Sequence, residues 1–213
     1  MIITVFGATG QVGKHIVRRA LTEEYRVTAF TRNVEPLIDG ALRNENLSLI
    51  KGYVFDTLEV FDAVNGCDAV LSALGGAIDT TNKTRSLGIK NIIEQMQKAG
   101  VKRIITVGSS AVLKDDDFGL AINNPKYPAL YRQVGLEHLK AYEYLDASGL
   151  DWTIVCCQSI TNSDANGKYI INEDYPPVPN LFTVKAGNVA DFIIRELKEN
   201  KHIRKRVGIS DTN

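Results

Sequence analysis

Apolar positions change their period from one segment of the chain to the next. Ile2–Phe6 is a short β-branched run and reads as a strand. Gln11–Glu24 follows, with Val12, Ile16, Val17, Ala20 and Leu21 at helical spacing. Arg26–Thr31 and Leu47–Lys51 return to strand character. Asp56–Asn65 predicts a short helix with Leu58, Phe61 and Val64 apolar. Asp68–Leu74 is an apolar run bounded by Gly66 and Gly75. Thr84–Ala99 predicts a helix that turns Ile89, Ile92, Ile93 and Met96 inward and stops at Gly100. Arg103–Val107 is a strand, Ala129–Ala147 a helix stopped by Gly149, and Trp152–Cys157 a strand. Lys185–Asn200 is the last predicted helix, and Arg206–Ile209 a final strand.

Strands and helices therefore alternate from the first residue. Such alternation predicts an α/β fold with a mainly parallel sheet and helices on both faces. Near-continuous apolar strands such as Ala69-Val70-Leu71 suit a sheet buried on both sides. All six prolines fall outside the predicted helices. Pro125 and Pro128 lie in an irregular stretch, 111–128, and Pro176, Pro177 and Pro179 in another, 161–184. Each stretch follows a strand, so both are expected at the carboxyl edge, where open α/β sheets bind ligands. With 213 residues the chain can bury about 70% of its unfolded surface, and one domain over 1–213 is expected. Its 44% hydrophobic and 23% charged residues suit a globular domain rather than a disordered one.

Charge changes the picture by exclusion. Lys+Arg and Asp+Glu number 25 each, so the net charge is zero. That removes the basic surplus typical of nucleic-acid binders. The apolar runs are shorter than the ~20 residues a membrane span needs, and the strand-like start lacks a basic leader, so a cytoplasmic protein is expected. Cys67, Cys156 and Cys157 are odd in number, with two adjacent. They read as buried, reduced thiols, not as a disulfide framework or a metal site.

The strongest chemical signal is Gly7-Ala8-Thr9-Gly10-Gln11-Val12-Gly13, set between the first strand and the first helix. Gly7 permits a tight turn, Gly10 a close backbone approach to a pyrophosphate, and Gly13 close helix–strand contact. The N–H groups at the helix start would face the phosphates. The spacing is Gly-x-x-Gly-x-x-Gly rather than the standard Gly-x-Gly-x-x-Gly. The second strand then ends Thr31-Arg32. An acid there would suit the ribose of NAD, whereas an arginine suits the 2′-phosphate of NADP. NADPH is thus the expected cofactor, with NADH as the other candidate.

These segments, with Leu74-Gly75-Gly76, Val107-Gly108-Ser109-Ser110 and Ser148-Gly149-Leu150-Asp151-Trp152-Thr153, resemble the atypical short-chain dehydrogenase/reductase superfamily. Within it the chain resembles the NAD(P)H-binding, NmrA-like group and its flavin reductases. The resemblance implies a single-domain Rossmann-type, doubly wound fold. It implies that Gly7 to Val12 hold the pyrophosphate, with Gly13 behind them. Arg32 would take the 2′-phosphate, with Thr31 next to it also among the cofactor-binding residues. Leu74 and Gly75 would line the adenosine side, with Val54 also among the cofactor-binding residues, and Ser109, Ser110 and the segment Cys157 to Ile160, Gln158 included, would border the nicotinamide. Three positions depart from the group: Tyr53 and Asn188 stand where aspartates are common, and Cys156-Cys157 replaces Arg-Pro.

The commonest enzymes of the superfamily use a Tyr-x-x-x-Lys pair on the helix after strand five. Here Tyr131 is followed four residues later by Gly135, and Tyr142 by Asp146. On that helix Tyr131, Gly135, His138 and Tyr142 are expected to share one face. His138 either assists the substrate, orienting it or supplying a proton, or is a partly buried histidine without a catalytic role. Ser110, in the position of the group's active-site serine, is the stronger catalytic candidate. Cys157 either faces the nicotinamide or is a core thiol. The expected activity is hydride transfer to a small planar acceptor such as a flavin or quinone, which can take its proton from solvent. The alternative is a non-catalytic, NmrA-like dinucleotide sensor. A nucleotide-sugar epimerase or dehydratase ranks below both, because those enzymes generally add a substrate domain. A small-molecule substrate is the expected partner, without nucleic acid or membrane, for a monomer or homodimer.

Overall fold

The computed structural model describes residues 1–35, 44–76 and 83–212. Its main sheet has eight strands in the order β3-β2-β1-β4-β5-β8-β12-β10. These are β1 (Ile2–Phe6), β2 (Arg26–Thr31), β3 (Leu47–Lys51), β4 (Ala69–Ser72), β5 (Arg103–Ser109), β8 (Asp151–Cys157), β10 (Tyr169–Glu173) and β12 (Lys205–Asp211). All neighbours run parallel except β10, which pairs antiparallel to β12. The helices among the described residues are α1 (Gly13–Thr22), α2 (Thr57–Val64), α3 (Thr84–Ala99), α4 (Ala129–Ala147) and α5 (Ala186–Glu199).

Strand alternation divides the core into two layers. Ile3, Val5, Val27 and Leu71 pack against Ile16 and Val17 of α1 and Val189 and Phe192 of α5. Phe6, Phe30, Val70 and Ile104 pack on the other face against Val60 of α2, Ile89 and Ile92 of α3 and Leu145 of α4. The four residues of β4 are all buried, as expected of a strand covered on both sides. This is the doubly wound arrangement expected from the sequence, with its strand order reversing at β1, between β2 and β4.

The two irregular stretches hold more structure than expected. Residues 111–128 carry a hairpin of β6 (Lys114–Asp115) and β7 (Gly119–Leu120), flanked by the 3-10 turns Ser110–Val112 and Ala121–Asn123. Within 161–184, β10 does not lie at the carboxyl edge but adds an edge strand to the sheet. β11 (Thr183–Lys185) pairs with β9 (Ser159–Thr161) in a separate two-stranded sheet. The run Tyr169-Ile170-Ile171 carried the β-branched signal for β10, but its partner β12 lies more than thirty residues away in the chain.

Asp174 ties the first stretch to the sheet. The Lys114 N–H donates to its carbonyl at 2.7 Å, and its own N–H donates to the Arg206 carbonyl at 2.6 Å. Arg206 Nη1 in turn donates to the Val112 carbonyl at 2.8 Å. All three cysteines are buried and free.

Candidate functional site

The glycine loop follows β1 at the point where the strand order reverses. Gly7 has φ of 74°, which a side chain rarely adopts, and a Cβ there would stand 2.5 Å from the Ala73 carbonyl oxygen. The Gly10 N–H donates to the Gly7 carbonyl at 2.9 Å, so it closes the turn instead of facing outward. A Cβ on Gly13 would stand 2.1 Å from that same carbonyl oxygen. The close contact of Gly13 is therefore with the loop and not, as expected, with the strand.

Helix α1 starts without a side-chain cap, and its first turn holds no acidic residue. Among the described residues, the N–H groups of Gln11, Val12 and Gly13 meet no acceptor. Helix α2 shows the contrast, because Asp56 accepts from the N–H groups of Leu58 and Glu59. The start of α1 thus keeps free donors and the positive end of its dipole, both suited to an anion. Gln11 Nε2 donates to the Ile160 carbonyl at 3.1 Å and ties the loop to β9.

The Thr9 and Thr31 hydroxyls meet at 2.9 Å, joining the loop to the end of β2. Arg32 is exposed, and no carboxylate pairs with it among the described residues. Lys51 ends β3 in register with Thr31 and is likewise exposed and unpaired. Val54 and Leu74 converge on α3 at Gly88, where a Cβ would lie 2.9 Å from Leu74 Cδ1 and 3.1 Å from Val54 Cγ1. Tyr53 stands 63% exposed beside them. Its N–H donates to Glu59 Oε2 at 2.7 Å. Gly75, next to Leu74 in the chain, is exposed.

At the ends of β5 and β8, Ser109 is paired in register with Cys157. Ser109 Oγ accepts the Ala111 N–H at 3.2 Å and so starts the turn that holds Ser110. Burial pushes the Cys157 thiol up to about 12, so it stays protonated. Gln158 is exposed next to it. His138 lines a cavity of about 10 Å³ with Leu74, Arg85, Thr106 and Tyr142, room for about one water. Burial, reinforced by the Arg85 charge and opposed by Glu137, pushes His138 down to about 3. The imidazole is therefore neutral at physiological pH. It can hydrogen-bond but carries no imidazolium proton to donate.

The face expected to join Tyr131, Gly135, His138 and Tyr142 is not uniform. Tyr131 is 51% exposed and Gly135 is buried. Tyr142 packs edge-on against Trp152 and under the Arg206 guanidinium. No hydrogen bond among the described residues joins Ser110 to His138.

Two residues with clear roles escaped the sequence reading. The sequence marks Asn188 only as a departure from the group's usual aspartate. Its side-chain oxygen accepts the N–H groups of Asn166 and Gly167 at 3.0 and 3.1 Å. Its Nδ2 donates to Asp211 Oδ1 at 2.7 Å, a bond no ionised aspartate could make. Tyr127 had no periodic signal in Asn124-Pro125-Lys126-Tyr127-Pro128. It folds back half-buried beside Ser109, with the Arg132 guanidinium 5.7 Å from its ring centre.

Free amides at a glycine-lined turn suit a pyrophosphate, and the unpaired Arg32 at the next strand end suits a further phosphate. Placed at the reversal of strand order, this donor set defines a nucleotide-binding α/β domain of the doubly wound type. The family model described as NAD(P)H-binding matches residues 7–200, and the chain belongs to that family. This agrees with the short-chain dehydrogenase/reductase-like, NmrA-like resemblance read from the motifs.

The chain is 29% identical over 180 residues to an uncharacterized chloroplast protein of Arabidopsis thaliana, covering 81% of this chain and 64% of that protein. It is 24% identical to isoflavone reductase of Glycine max, covering 91% of this chain and 62% of the relative. The chain thus spans less than two thirds of these curated relatives. Among solved structures it superposes on a provisionally assigned NADH-flavin reductase of Streptococcus pneumoniae with a TM-score of 0.83. The two are 24% identical, and all of both chains is covered. Among the described residues, no helix is long and apolar enough to cross a membrane.

Proposed function

We propose that the protein is an NADPH-preferring reductase that passes hydride to a small planar acceptor such as a flavin or a quinone. The observation that carries the reading is the uncapped start of α1 beside the unpaired Arg32. The amides of Gln11, Val12 and Gly13 would hold the pyrophosphate, and Arg32 the 2′-phosphate, with Lys51 on the next strand adding positive potential. Val54 and Leu74 offer an apolar bed for the adenine. Ser109, Ser110 and the segment from Cys157 to Ile160 would flank the reactive ring. The bound nicotinamide supplies the hydride, and the chain's task is alignment and exclusion of water. Neutral His138 fits an orienting role better than that of a proton donor.

A non-catalytic sensor is the second reading. The lack of a Tyr-x-x-x-Lys pair on the helix after β5 favours it. The test is titration with NADPH and NADH, followed by NADPH oxidation with FMN, riboflavin and a quinone. Tight NADPH binding with turnover of one acceptor supports the reductase. Binding without turnover of any of them supports the sensor.

A further inference from the structure

Strand β10 ends the sheet on its side and has one neighbour, β12. The Thr212 N–H donates to the Lys168 carbonyl at 3.1 Å, and the Asp174 N–H to the Arg206 carbonyl at 2.6 Å. Bonded and unbonded pairs alternate along an antiparallel ladder. With Tyr169 opposite Asp211 and Glu173 opposite Val207, the even-numbered residues of β10 are the ones that bond to β12. The N–H and C=O groups of Tyr169, Ile171 and Glu173 therefore point away from the sheet. Among the described residues nothing donates to them or accepts from them. Sheet edges are commonly guarded by a proline, a lysine or a bulge. Residues 169–173 contain neither proline nor lysine, and their register with β12 is unbroken.

The two ends of this edge carry opposite charge. Tyr169 and Ile171 pack on the layer that holds α1 and α5, and Glu173 shares their face by alternation. At one end the Arg195 guanidinium lies 5.4 Å from the Tyr169 ring centre. Arg195 is exposed, and no carboxylate forms an ion pair with it among the described residues. Glu199, one turn further along α5, is taken by Lys201 at 2.9 Å. At the other end Glu173 accepts from Lys205 through Oε1 at 2.6 Å, which leaves Oε2 open. A two-fold axis at Ile171 would set a second copy of β10 antiparallel to the first. Ile171 then faces the partner's Ile171, and Tyr169 faces the partner's Glu173. Such facing residues exchange both backbone hydrogen bonds, with their Cβ atoms roughly 5 Å apart. Glu173 also comes beside the partner's Arg195, which covers the partner's Tyr169.

We propose that the outer edge of β10 is a self-association surface, which pairs with β10 of a second copy about Ile171 and sets Glu173 of each chain against Arg195 of the other. The match is internal to this chain, because reversing one strand carries its acid onto its cation. An arbitrary strand would not supply that. A five-residue edge is short against the roughly 1,200–2,000 Å² of a standard interface. The dimer is therefore weak, and strongest at low salt, where exposed charges are least screened. The surface does not depend on the reductase reading, since four strands stand between β10 and β1.

Sedimentation velocity on the full chain at low ionic strength tests it. The wild type is expected to show a monomer–dimer equilibrium with a dissociation constant on the order of 10 μM. Amide exchange followed by NMR should slow at Tyr169, Ile171 and Glu173 as concentration rises. Glu173→Arg sets cation against cation and Arg195→Glu sets acid against acid, so each should weaken the dimer by about tenfold or more. An equimolar mixture of the two variants should dimerise nearly as well as the wild type. In that pair the two introduced charges face each other at one contact, and the native pair re-forms at the other. Thermal melting identifies a variant that does not fold, in which case the other variant and the amide exchange decide. A wild type that stays monomeric at millimolar concentration overturns the proposal. So does a dimer whose β10 amides exchange as in the monomer, one untouched by either folded variant, or a mixture that associates no better than each variant alone.

Discussion

Asn188 Nδ2 donates to Asp211 Oδ1 at 2.7 Å, and the pair fastens the start of α5 to the end of β12. Burial pushes the Asp211 carboxyl up, but hydrogen bonds from Lys185 and Asn188 outweigh it and hold the group below the ordinary carboxylate range. The stability this contributes is present above the unfolded carboxyl value and is lost as pH falls through the lower folded value. Asn188→Asp would replace the donor with a second carboxylate. We expect a loss of about 2–3 kcal/mol at neutral pH. The deficit should shrink in acid, once one carboxyl of the pair is protonated. Urea unfolding at pH 7 and pH 4 measures both effects.

Gly13→Ala tests the loop. Its Cβ would lie 2.1 Å from the Gly7 carbonyl oxygen, so backbone must move. We expect a stability loss of roughly 2 kcal/mol or more, together with weaker NADPH binding, because the same movement redirects the free amides of α1. Thermal melting and a fluorescence titration report the two separately. A variant that keeps wild-type affinity would show that those amides do not hold the phosphates.

Arg32 separates the two cofactors. Arg32→Ala should weaken NADPH by about tenfold, about 1.4 kcal/mol, and leave NADH within about twofold. Because the side chain is exposed, the wild-type preference should decline between low and high salt. Titrations at two ionic strengths measure the preference. An unchanged ratio in the variant would remove Arg32 from the site.

His138 has a pH signature of its own. Its folded value is pushed from 6.5 to about 3, whereas the unfolded chain binds a proton near the ordinary value. The unfolded state therefore gains protons first as pH falls, and stability should drop through the window from about 6.5 to about 3. His138→Gln should flatten that fall. Urea midpoints at pH 7.5 and pH 4.5 make the comparison. The same reasoning removes His138 as the source of any limb near neutrality in a pH–rate profile.

The sequence was most informative where a residue's role is local. Ile89, Ile92, Ile93 and Met96 were legible as the inward face of a helix, and all four are buried. Gly7 was legible as a tight turn, because its left-handed backbone is a property of one residue between a strand and a helix. Gly10 and Gly13 were legible as necessary but not in their particular contacts, since both answer to the Gly7 carbonyl. Asn188 could be seen only as a departure, because the reason for its amide lies at Asp211, beyond α5. Tyr127 had no periodicity to draw attention to it.

What the sequence by itself determined is the succession of elements, the two-sided burial of a central strand such as β4 and the glycine turn that opens α1. Each depends on spacing within a few residues, through backbone geometry and the alternation of side chains. The order of strands was another matter, because one βαβα succession can be wound in more than one order. Only the tertiary structure decided that β1 lies between β2 and β4, which brings Thr9 to Thr31 and Leu74 to Val54. It also decided that Gln11 reaches Ile160 and that Tyr127 returns to Ser109. Those meetings join residues far apart in the chain, and they follow from packing two helical layers on one sheet, which no local period encodes.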